Sequence, residues 1–398
     1  MISHSDFIII GGGILGVSIA LELKRRYTDC SVHLIEKENS YGCHASGRNS
    51  GVLHAGIYYP SDSLKARFTR QGNIELHAFC ARNKIPIRQC GKLIVTRNEA
   101  ELKTLDLLAK RAKENNVPVE TLNEDEVKCM EPLAQTVDRA LFSPTTSSAD
   151  PIALLHALVD EAKSAGVQFH LGISYKTFDG EKIHTNKDSF SAGYIINAAG
   201  LYADVIAKQF GFAQEHQILP FKGLYLYAHK PMLQTHIYPV PDLNYPFLGV
   251  HFTVSVDGKT KIGPTAIPAF WREQYKGFEN FSLKEAWDIG IRSSKLFIAS
   301  DFDFKGLAIK ELRKYSKKHL VTQAQALVPT CQFGDFHQWG RAGIRAQLIS
   351  NQSGKLVMDF LFEGNNKSFH ILNAVSPGWT CALPFSRFLC DEIDKKIN

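Results

Sequence analysis

Residues 6–26, DFIIIGGGILGVSIALELKRR, constrain the fold more than any other part of this chain. Residues 7–10 are apolar without alternation, the pattern of a strand buried on both faces of a parallel sheet. Glycines follow at positions 11, 13 and 16, spaced GxGxxG. From Ile14 to Arg26 the apolar residues recur with helical period, and SVHLIEKE then supplies a second strand ending at Glu36. Strand, glycine turn, helix, strand and terminal acid, in that order, predict a dinucleotide-binding unit. Gly11 permits the tight turn, Gly13 lets the backbone approach a pyrophosphate, and Gly16 lets helix and strand pack closely. The helix N-terminus would face phosphates, and Glu36 would accept hydrogen bonds from a ribose. A glycine turn with nothing bound leaves Glu36 without a role.

The glycines alone do not separate FAD from NAD. The following segment, SYGCHASGRNSG, is rich in small residues and hydrogen-bond donors. Glu36–Lys37–Glu38, followed by HASGRNSGVLHAGIYY, resembles the D-amino-acid-oxidase-type FAD superfamily. Within it, the chain is most similar to the L-2-hydroxyglutarate dehydrogenase/oxidase family; HIYPVPD, PFLGVHFT, DGK and IGPTA are its most family-specific parts.

The resemblance spans nearly the whole chain. It implies FAD bound at Gly11, Gly13, Ile14, Gly16, Glu36 and Lys37, with His44, Ser46, Arg48, Asn49 and Ser50 close to the cofactor. It also brings His54 towards the flavin ring, Val167 beside the adenine, and Ala199 and Gly200 to a close backbone approach. Ser376, Pro377, Gly378 and Trp379 form a turn expected to open the last helix, where amides would stabilise negative charge on reduced flavin. HASG is near the HAAG segment through which some relatives link FAD covalently; a simple hydrogen bond from His44 is the expectation here. The family usually carries His at Arg48, Arg at Lys222, Glu at Leu224 and GIVDY where this chain has SSADP, so substrate choice is the least transferable property.

The expected fold is α/β: a discontinuous Rossmann-type FAD-binding domain over 1–85, 145–219 and 330–398, plus an α+β substrate domain with a mostly antiparallel sheet over 86–144 and 220–329. Helices are predicted over 63–83, over 98–116 with Asn98 as N-cap, and over 151–165. A strand is expected over 167–175. Residues 220–265 are aromatic, β-prone and punctuated by turns, and helices return between 282 and 320. The run Lys310, Arg313, Lys314, Lys317 and Lys318, with Leu307 and Leu312 nearby, reads as a solvated helix face, with an anionic bilayer as the alternative.

Oxidising a 2-hydroxy acid removes a hydride from C2 and a proton from its hydroxyl. Histidine supplies a base near neutral pH without special tuning. His54 in LHAG and His251 in GVHFT are the candidates, His54 favoured. Arg345 in GIRAQ offers two parallel donors to a carboxylate. Lys222 is a second cationic candidate, and Tyr58, Tyr225 and Thr253 could donate hydrogen bonds. For the histidines, packing in the core or against the flavin is the competing role; for Arg345 it is a structural salt bridge. The expected function is oxidation of L-2-hydroxyglutarate to 2-oxoglutarate by hydride transfer to flavin N5. An amine or amino-acid oxidase of the same superfamily is the alternative, and a non-catalytic or RNA-associated flavoprotein is the alternative of another class.

Formal net charge is +6 with pI about 8.7. That suits a small anionic substrate or a peripheral contact with an anionic membrane, and it lacks the concentrated basic stripe of a nucleic-acid binder. The 8 cysteines contain no CxxC pair, which argues against zinc and for thiols in a reducing compartment. No metal is expected. The apolar run over 7–21 is too short to span a bilayer. It follows Asp6 without a basic residue, against a signal peptide. A cytoplasmic enzyme is expected, compatible with peripheral contact at the inner face of a membrane. Electrons would pass to oxygen, a quinone or a carrier protein.

Overall fold

A computed structural model describes residues 4–243, 247–299, 306 and 311–397. Contacts divide the chain into two compact units, one of residues 1–48, 151–220 and 345–398, the other of residues 49–150 and 221–344. The first crossover thus falls at Arg48/Asn49, and residues 49–85 group with the second unit.

The first unit is built on a parallel sheet. Strand Ser5–Ile10 lies between Val32–Glu36 and Ser189–Asn197, parallel to both. Gln168–Leu171 extends the sheet on one side and Ser368–Asn373 on the other, again parallel. Strand Lys182–Thr185 adds antiparallel to the first half of Ser189–Asn197. Ile8, Ile9 and Leu34 are wholly buried, as an uninterrupted apolar strand requires. Helix Ile14–Arg26 has the predicted bounds and packs against helices Pro151–Ser164 and Ala382–Ile397. Arg26 fastens the last of these through Asp394 at 2.7 Å and Asp391 at 2.8 Å.

Local expectations fail where a loop chemistry intervenes. The strand expected over 167–175 stops at Leu171, because Gly172 turns away with φ +67°; Tyr175–Phe178 is a separate strand. The turn at 376–378 does not itself open the last helix, which begins at Ala382; the Cys381 amide donates to the Pro377 carbonyl at 3.1 Å in the intervening turns. Asn98 makes no side-chain cap. A 3-10 turn, Glu99–Glu101, precedes helix Leu102–Glu114, and the Glu101 carboxylate accepts from the Arg97 amide at 2.8 Å. Ser63, by contrast, caps helix Leu64–Arg82 by accepting from the Ala66 amide at 3.1 Å.

The second unit holds an eight-stranded sheet ordered Phe336–Trp339, Leu226–Ala228, Thr260–Gly263, His251–Val254, His236–Pro239, Lys92–Val95, Arg139–Ser143 and Glu120–Asn123. Only the pairing of His236–Pro239 with Lys92–Val95 is parallel among these. The register sets Lys92 beside His236, Ile237 opposite Phe252, and Thr253 opposite Lys261. Side chains alternate between faces of a sheet. Leu93, Ile237, Phe252, Val254, Ile262 and Leu226 therefore share one face, where they form an apolar core with Leu320 and Val321 of helix Lys317–Ala324. The intervening residues go to the other face, and they are largely polar.

The basic run does not form one solvated face. Lys314 is buried and ion-paired with Glu311, and the Lys317 ammonium lies 4.0 Å from the Phe333 ring centre and donates to the Phe336 carbonyl. Lys310 and Leu307 lie outside the described residues. Among the described residues, no helix is long and apolar enough to cross a membrane.

Candidate active site

The glycine turn of the first unit shows why each glycine is there. A Cβ on Gly11, whose φ is +113°, would lie 2.5 Å from the Ala198 carbonyl oxygen, and one on Gly16 would lie 2.0 Å from that of Gly11. Gly13 is more open: its Cβ would meet only the Ser46 hydroxyl, at 3.0 Å. The Gly12 amide donates to Glu36 Oε2 at 2.7 Å, and the Ile14 amide, at the helix start, donates to Ser46 Oγ at 2.9 Å. Residue 46 is thereby brought to the dipole end of the helix, where anions are stabilised. Gly200, with φ +54°, has no neighbour within 4 Å of a built Cβ. The Trp379 indole N–H is buried and has no hydrogen-bond partner among the described residues. An open glycine at a helix start, an acid ending the second strand and an unmatched buried donor fit the diphosphate, ribose and ring of a dinucleotide.

In the second unit the polar sheet face carries Lys92, His236, Tyr238, His251, Thr253 and Lys261, all buried. Lys92 Nζ stands 4.5 Å from the Tyr58 ring centre and 5.3 Å from that of Tyr238. Burial pulls its ammonium down to about 7. Lys261 donates to the Ser50 carbonyl at 3.1 Å and lies 4.8 Å from the Tyr225 ring centre; burial lowers it to about 8. The three histidines differ. His236 Nδ1 accepts from the Val254 amide at 3.0 Å, and its Nε2 faces Cys90 Sγ at 3.3 Å. Burial first, and then Lys92, hold it well below its usual value, so it stays neutral with both nitrogens engaged. His54 is lowered to about 3 by burial and then by Lys92. His251 is stacked on Tyr238, ring centres 3.7 Å apart, and its Nδ1 lies 2.8 Å from the Gly249 carbonyl oxygen. A carbonyl can only accept, so Nδ1 carries a proton, and Nε2 is the ring nitrogen that acts as a base when the ring is neutral.

The family model described as FAD dependent oxidoreductase matches residues 6–392. The chain belongs to this FAD-dependent oxidoreductase family. It is 36% identical over 397 residues to an L-2-hydroxyglutarate dehydrogenase of Indibacter alkaliphilus, covering 96% of this chain and 97% of that one. Identity to the mitochondrial L-2-hydroxyglutarate dehydrogenase of Homo sapiens is 33% over 422 residues, covering 100% and 90%. Among solved structures, FAD-bound L-α-glycerophosphate oxidase from Mycoplasma pneumoniae superposes with a TM-score of 0.78 at 23% identity, covering 99% and 95%. Glycine oxidase from Geobacillus kaustophilus gives 0.73 at 19%, covering 99% and 96%. The last two share the fold.

Of the expected cofactor residues of this FAD-dependent oxidoreductase, Glu36, Ser46 and Ala199 stand beside the glycine turn, and several others already have protein partners. Lys37 pairs with Glu38 at 2.9 Å, and His44 Nε2 lies 2.9 Å from the same carboxylate. Arg48 donates to the Cys43 carbonyl. Val167 is buried one residue ahead of its strand. The Gly51 amide donates to the Asn49 side chain at 2.8 Å and the Val52 amide to Ser50 Oγ at 3.4 Å. The second unit brings together His54, Tyr58, Thr253, Tyr225 and His251. Lys222, also buried, lies 5.9 Å from the Tyr315 ring centre, and burial lowers its ammonium. Arg345 is half-buried on strand Gly343–Ser350, at the start of the last segment of the first unit. Lys92, His236, Tyr238 and Lys261 were not anticipated. Their signal is weak: KLIV, HIYP and TKIG are short strands, wholly buried on both faces, in which the polar residues follow no consistent alternation.

Proposed function

We propose that this FAD-dependent oxidoreductase converts L-2-hydroxyglutarate to 2-oxoglutarate. The observation that carries this reading is the buried face of the second unit, where two lysines and a histidine whose Nδ1 is committed to a carbonyl stand on one sheet. A dianion needs cationic and neutral donors, and loss of a hydroxyl proton needs a base. The names of the relatives agree with that chemistry.

The roles follow from the side chains. Arg345 holds the C1 carboxylate with two parallel N–H donors. His251 Nε2 takes the C2 hydroxyl proton, its tautomer fixed by the Gly249 carbonyl. The C2–H bond breaks with both electrons as the C2–O bond becomes a carbonyl. FAD, when bound, supplies the acceptor for that hydride. Gly11, Gly13, Gly16, Glu36, Ser46, Gly200 and the 376–379 turn hold the cofactor. A second reading places the base at His54. Burial first, and then the Lys92 charge, hold His54 low, so this reading requires a bound anion beside Lys92 to offset part of that lowering.

Anaerobic mixing with L-2-hydroxyglutarate should bleach the flavin absorbance. Faster bleaching by lactate or an L-amino acid overturns the substrate and moves attention to Arg48 and Leu224.

A further inference from the structure

Buried polar groups are almost always hydrogen-bonded, and each exception calls for an account. Two exceptions occur side by side on the second unit. Lys92 Nζ and the Tyr58 hydroxyl are both buried, and neither has a hydrogen-bond partner among the described residues. Lys92 is 0% exposed and stands over the Tyr58 ring. Both are donors: an ammonium can only donate, and Tyr58, held neutral by burial, donates through its O–H. Two neighbouring buried donors without an acceptor describe an anion site.

The other cations differ in this respect. Lys261 donates to Ser50, and Arg48 donates to Cys43. Lys222 belongs to a different strand, His216–Gly223, beside Tyr315. The aromatic rings under Lys92 give it a cation–π contact, yet they leave its three N–H bonds unused.

We propose that Lys92 and the Tyr58 hydroxyl bind the distal carboxylate of the substrate and so set the preference for a dicarboxylic over a monocarboxylic 2-hydroxy acid. This rests on the 2-hydroxy-acid reading of the site and deepens it. One carboxylate oxygen accepts from the Lys92 ammonium and the other from Tyr58. The rings of Tyr58 and Tyr238 hold the ammonium in place before the ligand arrives.

The assignment has a proton signature. The groups facing Lys92 are His54, His236, Tyr58 and Tyr238. Burial keeps the two histidines neutral from below and the two tyrosines neutral from above. Lys92, at about 7, is thus the one of these five that changes charge near neutral pH. A bound carboxylate raises it, so binding takes up a proton above that pH. Lys261, at about 8, acts on His236 and contributes separately.

The test uses FAD-loaded protein, with glutarate as an unreactive dicarboxylate and butyrate as the monocarboxylate, each titrated through the flavin spectrum. Lys92→Met should weaken glutarate ~10- to 100-fold and leave butyrate within ~2-fold. Lys92→Arg should restore much of the loss, and Tyr58→Phe should weaken glutarate ~3- to 10-fold. In the wild type, glutarate affinity should fall towards ~10-fold per pH unit above about pH 7, and Lys92→Met should remove that part of the slope. Wild-type glutarate affinity in Lys92→Met, or equal losses for glutarate and butyrate, overturns the proposal. If Lys92→Met fails to hold FAD, the wild-type pH slope and Tyr58→Phe decide: a flat slope together with an unchanged Tyr58→Phe affinity overturns it. Failure of L-2-hydroxyglutarate to bleach the flavin is a separate outcome, which sinks the reaction while the two anion titrations still judge Lys92.

Discussion

At the glycine turn of the first unit, polar groups find partners close by: the Gly12 amide has Glu36, the Ile14 amide has Ser46, and His44 has Glu38. On the polar sheet face of the second unit, Lys92 and Tyr58 have buried donors without an acceptor. The first arrangement recognises a ligand through backbone amides and missing side chains, features compatible with a well-satisfied fold. The second holds charge away from water at a cost to stability, which is the mark of a site kept for chemistry. A cofactor held for the life of the protein tolerates the first design. A substrate that must be told apart from its shorter analogues calls for the second.

The largest effect should come from the turn. Gly16→Val drives a Cβ to 2.0 Å from a backbone oxygen, so the protein should lose FAD and ~3 kcal/mol or more of stability. Gly13→Val meets only the Ser46 hydroxyl at 3.0 Å; it should lose FAD at a far smaller stability cost. Absorbance at the flavin band and chemical denaturation read both. A Gly13→Val protein with full flavin content would break the idea that the first unit binds through absent side chains.

Next comes the second unit's chemistry. His251→Ala should slow anaerobic flavin reduction ~10²- to 10⁴-fold with FAD retained. Stopped-flow traces of His251→Ala and His54→Ala decide between the two histidines, and wild-type rates in both remove histidine from the reaction. Arg345→Lys keeps the charge and loses the bidentate fork, so kcat/KM for L-2-hydroxyglutarate should fall ~10-fold or more without loss of FAD.

The last effect is on stability alone, and it has the opposite sign. The folded pKa of Lys92, about 7, lies below the unfolded lysine value of 10.5. Between those values the unfolded chain binds the extra proton, so this group makes stability rise with pH from about 7 to 10.5; below pH 7 it costs on the order of a few kcal/mol. Lys92→Met should therefore stabilise the ligand-free protein at pH 7, seen in denaturant titration. A destabilised Lys92→Met would mean that the ammonium is a structural cation–π contact, and the contrast between the units would lose its energetic half.

How much could be read in advance depended on sequence distance. The helix Ile14–Arg26, the acid at Glu36 and the glycine roles were legible because a βαβ turn is written in thirty consecutive residues, each with one stereochemical job. The helix from 63 was legible for the same reason, whereas Asn98 was misleading as a cap: a 3-10 turn, Glu99–Glu101, intervenes before helix Leu102–Glu114, and the Asn98 side chain caps neither. His54, His251 and Tyr58 could be proposed from short motifs. Their neighbours could not, because Lys92, His236 and Lys261 are far apart in the chain and are polar residues in strands that read as ordinary core.

The sequence by itself determined the dinucleotide-binding turn, the parallel sheet that carries it and the presence of a β-rich second region, since these follow from local periodicity and from the spacing of the glycines; the resemblance added FAD. Only the tertiary structure decided which polar residues face one another. Side-chain direction in a strand is fixed by parity, but parity gains meaning only when register is set: Lys92 beside His236, and Thr253 opposite Lys261. Burial, too, is a property of the assembled sheet. It is burial that turns an ordinary lysine into an ammonium poised near pH 7 and holds a histidine neutral, and no stretch of sequence carries that information alone.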